Sequence, residues 1–390
     1  LPDEDDEGNV IQDADASSTQ SILFLRCCAF LVEAYLEGML ARAAKSGTTK
    51  RGGGQQQQRQ VEVIDEAFEI AELLHDQLFP LHSSPAREAR LTQSAIFGMC
   101  EKYWHGNFVD REQLVTQLIP LLLVKSLDDG AQKSDVKRLC SIRDAINLLD
   151  FDDVSISSLK NHLLRTVGNP LFLQSVDGRK FITHLFGVDA SLVGELHRSV
   201  RAQIPGAKRS ILTAYAEIYF NAWKAVSSEK PEDDDDEEEE NSMNEVQIAI
   251  EENCLQDFMY QVIHAANPST SKSVRTVLDK FHVNKKSPDV ERLLHRMYGP
   301  LLWRALSSAN ARVRRQAAGV LADTFPLRDP TAGEEWTEEC VKRSVRAMVA
   351  LMEDVVPSVR VAGSMATARI LSSFWSVVPS GDIRTLLNRK

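Results

Sequence analysis

The stretch A-R-V-R-R-Q-A-A (311–318) returns in altered form as S-V-R-V-A-G-S (358–364), and reading these two segments as one motif decides the fold. Each opens the second helix of a two-helix unit. In the first unit the leading helix carries Val290, Leu294, Met297 and Leu301, and the polar turn Ser307-Ser308-Ala309-Asn310 follows it. In the second unit Val341, Val345, Met348, Val349 and Met352 lead through Asp354-Val355-Val356-Pro357. Val313-Arg314 and Val359-Arg360 lie 46 positions apart. A repeat of that period, with two antiparallel helices per unit, predicts an all-α chain of HEAT type: an alpha-solenoid of helix pairs stacked into a curved superhelix.

The helical period explains the residue choices. Val313, Ala317, Val320, Leu321 and Thr324 share one face, as do Val359, Gly363, Ala366, Ile370 and Phe374, and such faces must be buried against neighbouring units. Small residues at Ala317 and Gly363 allow close helix approach, and Pro357 suits a first helical turn, where its missing N–H is not needed. Asp354 stands six residues before Arg360, the place where HEAT units set an acid and a base that pair within or between repeats. Ser308 takes the acid's place in the first unit, so only a partial ladder is expected there. Asp354, Arg314 and Arg360 are accordingly read as repeat-stabilising.

Composition agrees with this class. The chain of 390 residues has 5 Trp and 6 Tyr and no strongly alternating Val/Ile/Thr run, so helices are expected throughout. Six cysteines, Cys27, Cys28, Cys100, Cys140, Cys254 and Cys340, show no C-x-x-C pair and sit mostly among apolar residues. They read as buried free thiols of a reducing compartment. No signal peptide and no apolar run of spanning length is visible, which predicts an intracellular protein without a membrane partner.

The net charge of −11 is unevenly spread. Seven acids within 1–15 and nine within Glu232–Glu240 account for −16, so the rest of the chain carries +5. Two acidic segments too polar to bury a core therefore accompany a mildly basic body.

In chain order the reading is a disordered acidic N-terminus (1–19), a helix (20–43), a Gly/Gln-rich low-complexity linker (44–60), irregular helical repeats (61–226), a disordered acidic insert (227–244) and HEAT repeats from 245 to 390 that continue beyond the chain end. Helices are expected at about 61–79, 87–104, 111–127, 134–149, 156–166, 175–186, 189–203, 205–227, 244–265, 270–283 and 288–306, punctuated by Pro80, Pro85, Asp128-Asp129-Gly130 and Gly168-Asn169-Pro170.

Catalytic patterns are absent from the sequence. No H-E-x-x-H, G-x-S-x-G, Walker or dinucleotide glycine pattern occurs, nor any Cys/His metal spacing, and the nine histidines are scattered singly. The chain is therefore expected to be no enzyme and to need no cofactor. What remains is binding. From Lys272 to Arg315 the sequence holds eleven bases against Asp279, Asp289 and Glu291, a basic patch of the kind that attracts phosphates without reading sequence. Lys272, Arg275, Lys285, Lys286, Arg292, Arg296, Arg312 and Arg315 are the DNA-binding candidates, with Arg312 and Arg315 free of their helix's apolar face. No aromatic interleaving suggests base stacking, so duplex backbone is the expected target.

The run M-Y-G-P-L-L-W-R-A-L-S-S-A-N-A-R-V-R-R-Q-A-A-G-V-L-A-D-T-F-P-L-R-D-P (297–330) resembles the G-type non-SMC HEAT subunit of condensin II. G-R-K-F-I-T-H-L-F-G (178–187), A-E-I-Y-F-N-A-W-K (216–224), A-I-E-E-N-C-L-Q-D-F-M (249–259), V-R-T-V-L-D-K-F-H (274–282) and L-M-E-D-V-V-P-S-V-R (351–360) add to the resemblance, which runs from about residue 91 to the end. The Gly/Gln linker and the acidic run look like insertions.

The resemblance implies a scaffold that binds the condensin II kleisin and, through it, the structural-maintenance-of-chromosomes ATPase pair. It also implies the complex's second HEAT subunit and double-stranded DNA or chromatin as partners, and a nuclear location, on chromosomes in mitosis, with a role in their condensation and segregation. Members are longer, so an incomplete chain is expected. A HEAT adaptor of nuclear transport or a phosphatase scaffold is the alternative. The first needs Trp/Asn-lined grooves in every repeat, where this chain has only isolated tryptophans such as Trp303 and Trp375, read as core. The second needs more uniform repeats.

Overall fold

A computed structural model describes residues 12–46, 61–228 and 245–387. The expected disordered start, Gly/Gln linker and acidic insert lie largely outside the described residues. Among the described residues the chain is all-α, apart from a single bridge between Val61 and Phe108, and no helix is long and apolar enough to cross a membrane. Two compact units divide it after Thr166.

The first unit contains α1 (Gln12–Ser46), α2 (Asp65–Asp76), α3 (Leu78–Ser83), α4 (Arg87–His105), α5 (Leu118–Leu127), α6 (Lys133–Ser141) and α7 (Ser157–Thr166), with short 3-10 turns between them. The N-terminal helix starts at Gln12, earlier than the expected 20, because its first residues lack apolar periodicity and carry no signal for the start. Its inner face, Ala29, Val32 and Leu36, is buried against α4.

The second unit comprises α8 (Pro170–Gln174), α9 (Val176–Val188), α10 (Ala190–Gln203), α11 (Arg209–Ser228), α12 (Glu245–Ile248), α13 (Gln256–His264), α14 (Pro268–Val277), α15 (Asp279–Val283), α16 (Pro288–Leu306), α17 (Ala311–Thr324), α18 (Glu334–Met352), α19 (Pro357–Phe374) and α20 (Ser380–Leu387). Between α12 and α13 the backbone takes a π-helical turn over Ala249–Leu255. The repeat read from sequence is the pair α16/α17 followed by α18/α19, with α17 packed on both α16 and α19.

Side-chain size sets how closely these helices approach. Val313, Ala317, Val320, Leu321, Val359, Ala366 and Ile370 are all buried. A methyl group added at Gly363 would stand 2.7 Å from Leu351 Cβ and 2.9 Å from its carbonyl carbon, so α19 meets the end of α18 almost backbone to backbone. Two expectations need correction. Trp375 is 57% exposed rather than core, because it follows the last turn of α19 beyond the packed stripe. Of the six cysteines only Cys100, Cys140 and Cys254 are buried, while Cys27 is exposed.

Candidate nucleic-acid interface

The basic stretch 272–315 is carried on α14 to α17, whose starts are fixed locally. Pro268 and Pro288 occupy first-turn positions, Asn267 Oδ1 accepts from Ser269 N–H at 2.9 Å and Asn310 Oδ1 accepts from Arg312 N–H at 3.0 Å. Such caps satisfy amides that the first turn leaves open.

The structure divides the eight candidates by what their charges already hold. Arg275 donates from Nε to the Asp323 carboxylate and from Nη2 to Gly319 O at 3.2 Å. Lys285 donates to the Asp323 carbonyl with its Nζ 4.9 Å from the centroid of the Phe374 ring, and burial pushes its pKa down to about 8. Arg296 pairs with Glu251. Arg312 Nη1 donates to Ala266 O at 3.1 Å, so it is not free as its position off the apolar face suggested, and it docks α17 on the turn after α13. Lys272, Lys286 and Arg292 are exposed and Arg315 half-buried, and these four make no side-chain hydrogen bond or ion pair among the described residues.

The acids that consume the others are buried. Asp323, 7% exposed, receives Arg275 and Arg369 and lies 4.0 Å from His282 Nδ1. Burial alone would raise its pKa, but the Arg275 hydrogen bond and the neighbouring cations hold it below the ordinary aspartate value. His282, also buried, is pushed down to about 4 by desolvation and its Nε2 lies 3.2 Å from the Tyr298 hydroxyl. Glu251, 1% exposed, sits in the π-helical turn and accepts from Trp223 Nε1 at 2.8 Å, Gln247 Nε2 at 2.9 Å and Arg296. Each buried carboxylate is thus paired and multiply hydrogen-bonded, the condition under which a low-dielectric interior tolerates it.

Both repeat arginines use the same local bond. Arg314 Nη1 reaches back to Ser308 O (2.7 Å) and Ala309 O (3.0 Å), and Arg360 Nη1 reaches Asp354 O (2.8 Å) and Val355 O (3.2 Å). The Asp354 carboxylate faces the preceding unit, where Arg314 grips it through Nε and Nη2. Ser308 offers Arg314 only its carbonyl, so the first unit's arginine takes its acid from the second.

Sequence reasoning missed Asp323, Glu251 and Arg369, as well as a buried network in which His197 joins the Tyr219 hydroxyl (2.9 Å) to Asp257 (3.0 Å). A lone acid within an apolar helix face, such as Asp323 between Ala322 and Thr324, was the available signal. Nothing local named its partners.

An all-α helical-repeat protein whose basic stretch is partly consumed by buried acids is the class this geometry defines. Over residues 165–329 the chain matches the family model described as condensin II non structural maintenance of chromosomes subunit. It is 32% identical over 311 residues to "Condensin-2 complex subunit G2" of Homo sapiens, 31% over 310 to that of Mus musculus and 29% over 310 to that of Xenopus laevis. Each alignment covers 79% of this chain and 25–26% of the relative. This stretch is similar to the condensin II non-SMC subunits, and the chain spans about a quarter of the length of the curated relatives it matches. One solved structure, "Structure of the Pds5-Scc1 complex and implications for cohesin function", aligns at 13% identity and TM-score 0.30, over 86% of this chain and 52% of that one, a likeness too low to bear on fold or partners.

Proposed function

We propose that this chain is a non-catalytic scaffold of condensin II that binds the complex's kleisin, meets the ATPase pair and the second HEAT subunit through it, and touches duplex DNA. Its place of action is then the nucleus, on mitotic chromosomes, in their condensation and segregation. The observation that carries the reading is the family match over residues 165–329, which includes the whole basic stretch 272–315 and all of α14–α17.

The geometry narrows the DNA-contacting set. Arg275, Lys285 and Arg296 already serve Asp323 and Glu251, whereas Lys272, Lys286 and Arg292 present uncommitted charge to solvent, and Arg315 on α17 is half-buried. Phosphate contact by such residues is sequence-independent and salt-sensitive.

The test is co-purification of the chain with the condensin II kleisin, followed by duplex titration at two salt concentrations. With Lys272, Lys286, Arg292 and Arg315 all changed to Glu, a stable kleisin complex should remain while the salt slope of DNA affinity falls by about 3 to 4, near one per lost phosphate contact. An unchanged slope removes DNA contact from the proposal. Absence of a kleisin complex removes the scaffold reading for this part of the protein.

A further inference from the structure

The N-terminal helix α1 runs for 35 residues, well beyond the ordinary length of about 10–14, and among the described residues its apolar contacts fall on one side. On the inner side Ala29, Val32 and Leu36 are buried, Thr92 donates to Ile22 O at 3.1 Å, Arg26 pairs with Glu88 at 2.8 Å, and Lys102 pairs with Glu33 at 3.0 Å and with Glu37. These are the only charges between Gln20 and Ala41. All three on this part of α1 are therefore engaged with α4, and its outer side between Gln20 and Ala41 has none; Arg42 and Lys45 follow at the C-terminal end of the helix.

That outer side carries an apolar heptad. Phe24, Cys27, Leu31, Ala34, Gly38 and Ala41 alternate by three and four positions and are all exposed, with Leu23 and Phe30 flanking them. Phe24 is 68% exposed, Phe30 54%, Leu31 70% and Leu23 36%. Such spacing is the seam of a two-helix coiled coil. Its sizes are graded: bulky residues fill the N-terminal half and Ala34, Gly38 and Ala41 the C-terminal half.

We propose that α1 pairs with α1 of a second copy of this chain, antiparallel and about a two-fold axis between Leu31 and Ala34. In that register Phe24 faces Ala41, Cys27 faces Gly38 and Leu31 faces Ala34 of the partner copy, each large or medium residue against a small one. An isologous seam of this kind is self-complementary. Gly38 supplies a separate observation. An interior helical glycine costs roughly 0.5–1 kcal/mol against alanine, yet a Cβ at Gly38 would meet nothing within 4 Å in its own chain. Close approach of Cys27 from a partner helix gives the glycine a packing role.

The area fits a weak contact. With about 150–250 Å² for a phenylalanine side chain, Leu23, Phe24, Phe30 and Leu31 leave roughly 450 Å² open per chain, so pairing two copies buries at most about 900 Å², the range of weak, transient interfaces. Charge enters only at the ends of the seam, where Arg42 and Lys45 face Leu23 and Gln20 of the partner copy. A dimer forming at micromolar concentration or above is the outcome of so small a seam.

The test uses the whole 390-residue chain in sedimentation velocity, under reducing conditions, across a concentration series up to about 200 µM, which reaches the weak end of such interfaces. A concentration-dependent dimer that Leu31→Glu and Phe24→Glu each abolish, with unchanged helical circular dichroism, is the expected result. Under mild oxidation Gly38→Cys should cross-link to Cys27 of the partner copy, and adding Cys27→Ser should remove that product. A monomer at every concentration overturns the proposal, as does a dimer indifferent to Leu31→Glu. A Cys27–Cys27 cross-link in the unmodified chain, in place of the Gly38→Cys product, overturns the antiparallel register.

Discussion

Arg314 holds the Asp354 carboxylate through two donors, Nε to Oδ2 at 2.6 Å and Nη2 to Oδ1 at 2.9 Å, across 40 positions of sequence. Asp354 Oδ1 also accepts from Val356 N–H at 2.8 Å, so one carboxylate both clamps two repeats and closes the turn that leads into α19. The Arg314 hydrogen bonds hold its pKa below the ordinary aspartate value.

Asp354→Ala should lose the bidentate pair and the turn hydrogen bond together, at about 1–2 kcal/mol. Arg314→Lys should lose part of this, because an ammonium cannot match the planar fork. Urea unfolding of the two variants and their double mutant measures the coupling. Additive effects would mean the two residues do not act as one clamp.

Asp323 is the more heavily loaded acid. Asp323→Ala strands Arg275 and Arg369, and as a buried-pair break it should cost about 3 kcal/mol, whereas Arg369→Ala, removing a side chain that is 52% exposed, should cost less than about 1. Because the folded-state pKa of Asp323 is depressed, its stabilisation is present above the unfolded value of 3.8 and is lost as pH falls through the lower folded value. Acid unfolding of Asp323→Asn should start from lower stability and show a weaker dependence on pH at this low end.

Glu101 on α4 behaves oppositely. Burial raises its pKa from 4.5 to about 7 despite Arg138, whose Nε lies 2.8 Å away. The folded state therefore binds this proton more tightly than the unfolded chain, and stability falls as pH rises from about 4.5 to about 7. Glu101→Gln should flatten that part of the profile and gain about 2 kcal/mol at pH 8 relative to the native chain. Thermal melts between pH 5 and pH 8 read the difference.

Gly363→Ala tests close packing. With Leu351 Cβ 2.7 Å from the new methyl, the overpacked α18–α19 contact should lose about 2 kcal/mol, although alanine is the better helix former. Gly38→Ala meets open space and should leave the monomer's stability equal or slightly higher, so comparing the two by chemical denaturation separates packing from propensity.

The sequence alone determined that the chain is helical and repeats, and it placed some of the helices closely. Apolar spacing and proline punctuation placed a helix over 288–306, and the structure has Pro288–Leu306; at 87–104 the structure has Arg87–His105. Those signals are local, since a helix is set by residues three and four apart and by its own caps. Tertiary structure decided which charges remain to meet a partner. Arg275 with Asp323, Arg296 with Glu251, Arg369 with Asp323 and Arg312 with Ala266 O are separated by 48, 45, 46 and 46 positions, close to the 46-residue period of the repeat. Stacking one unit on the next brings such positions together, and only that stacking tells a spent arginine from an open one, because a charge meets its partner through space rather than along the chain.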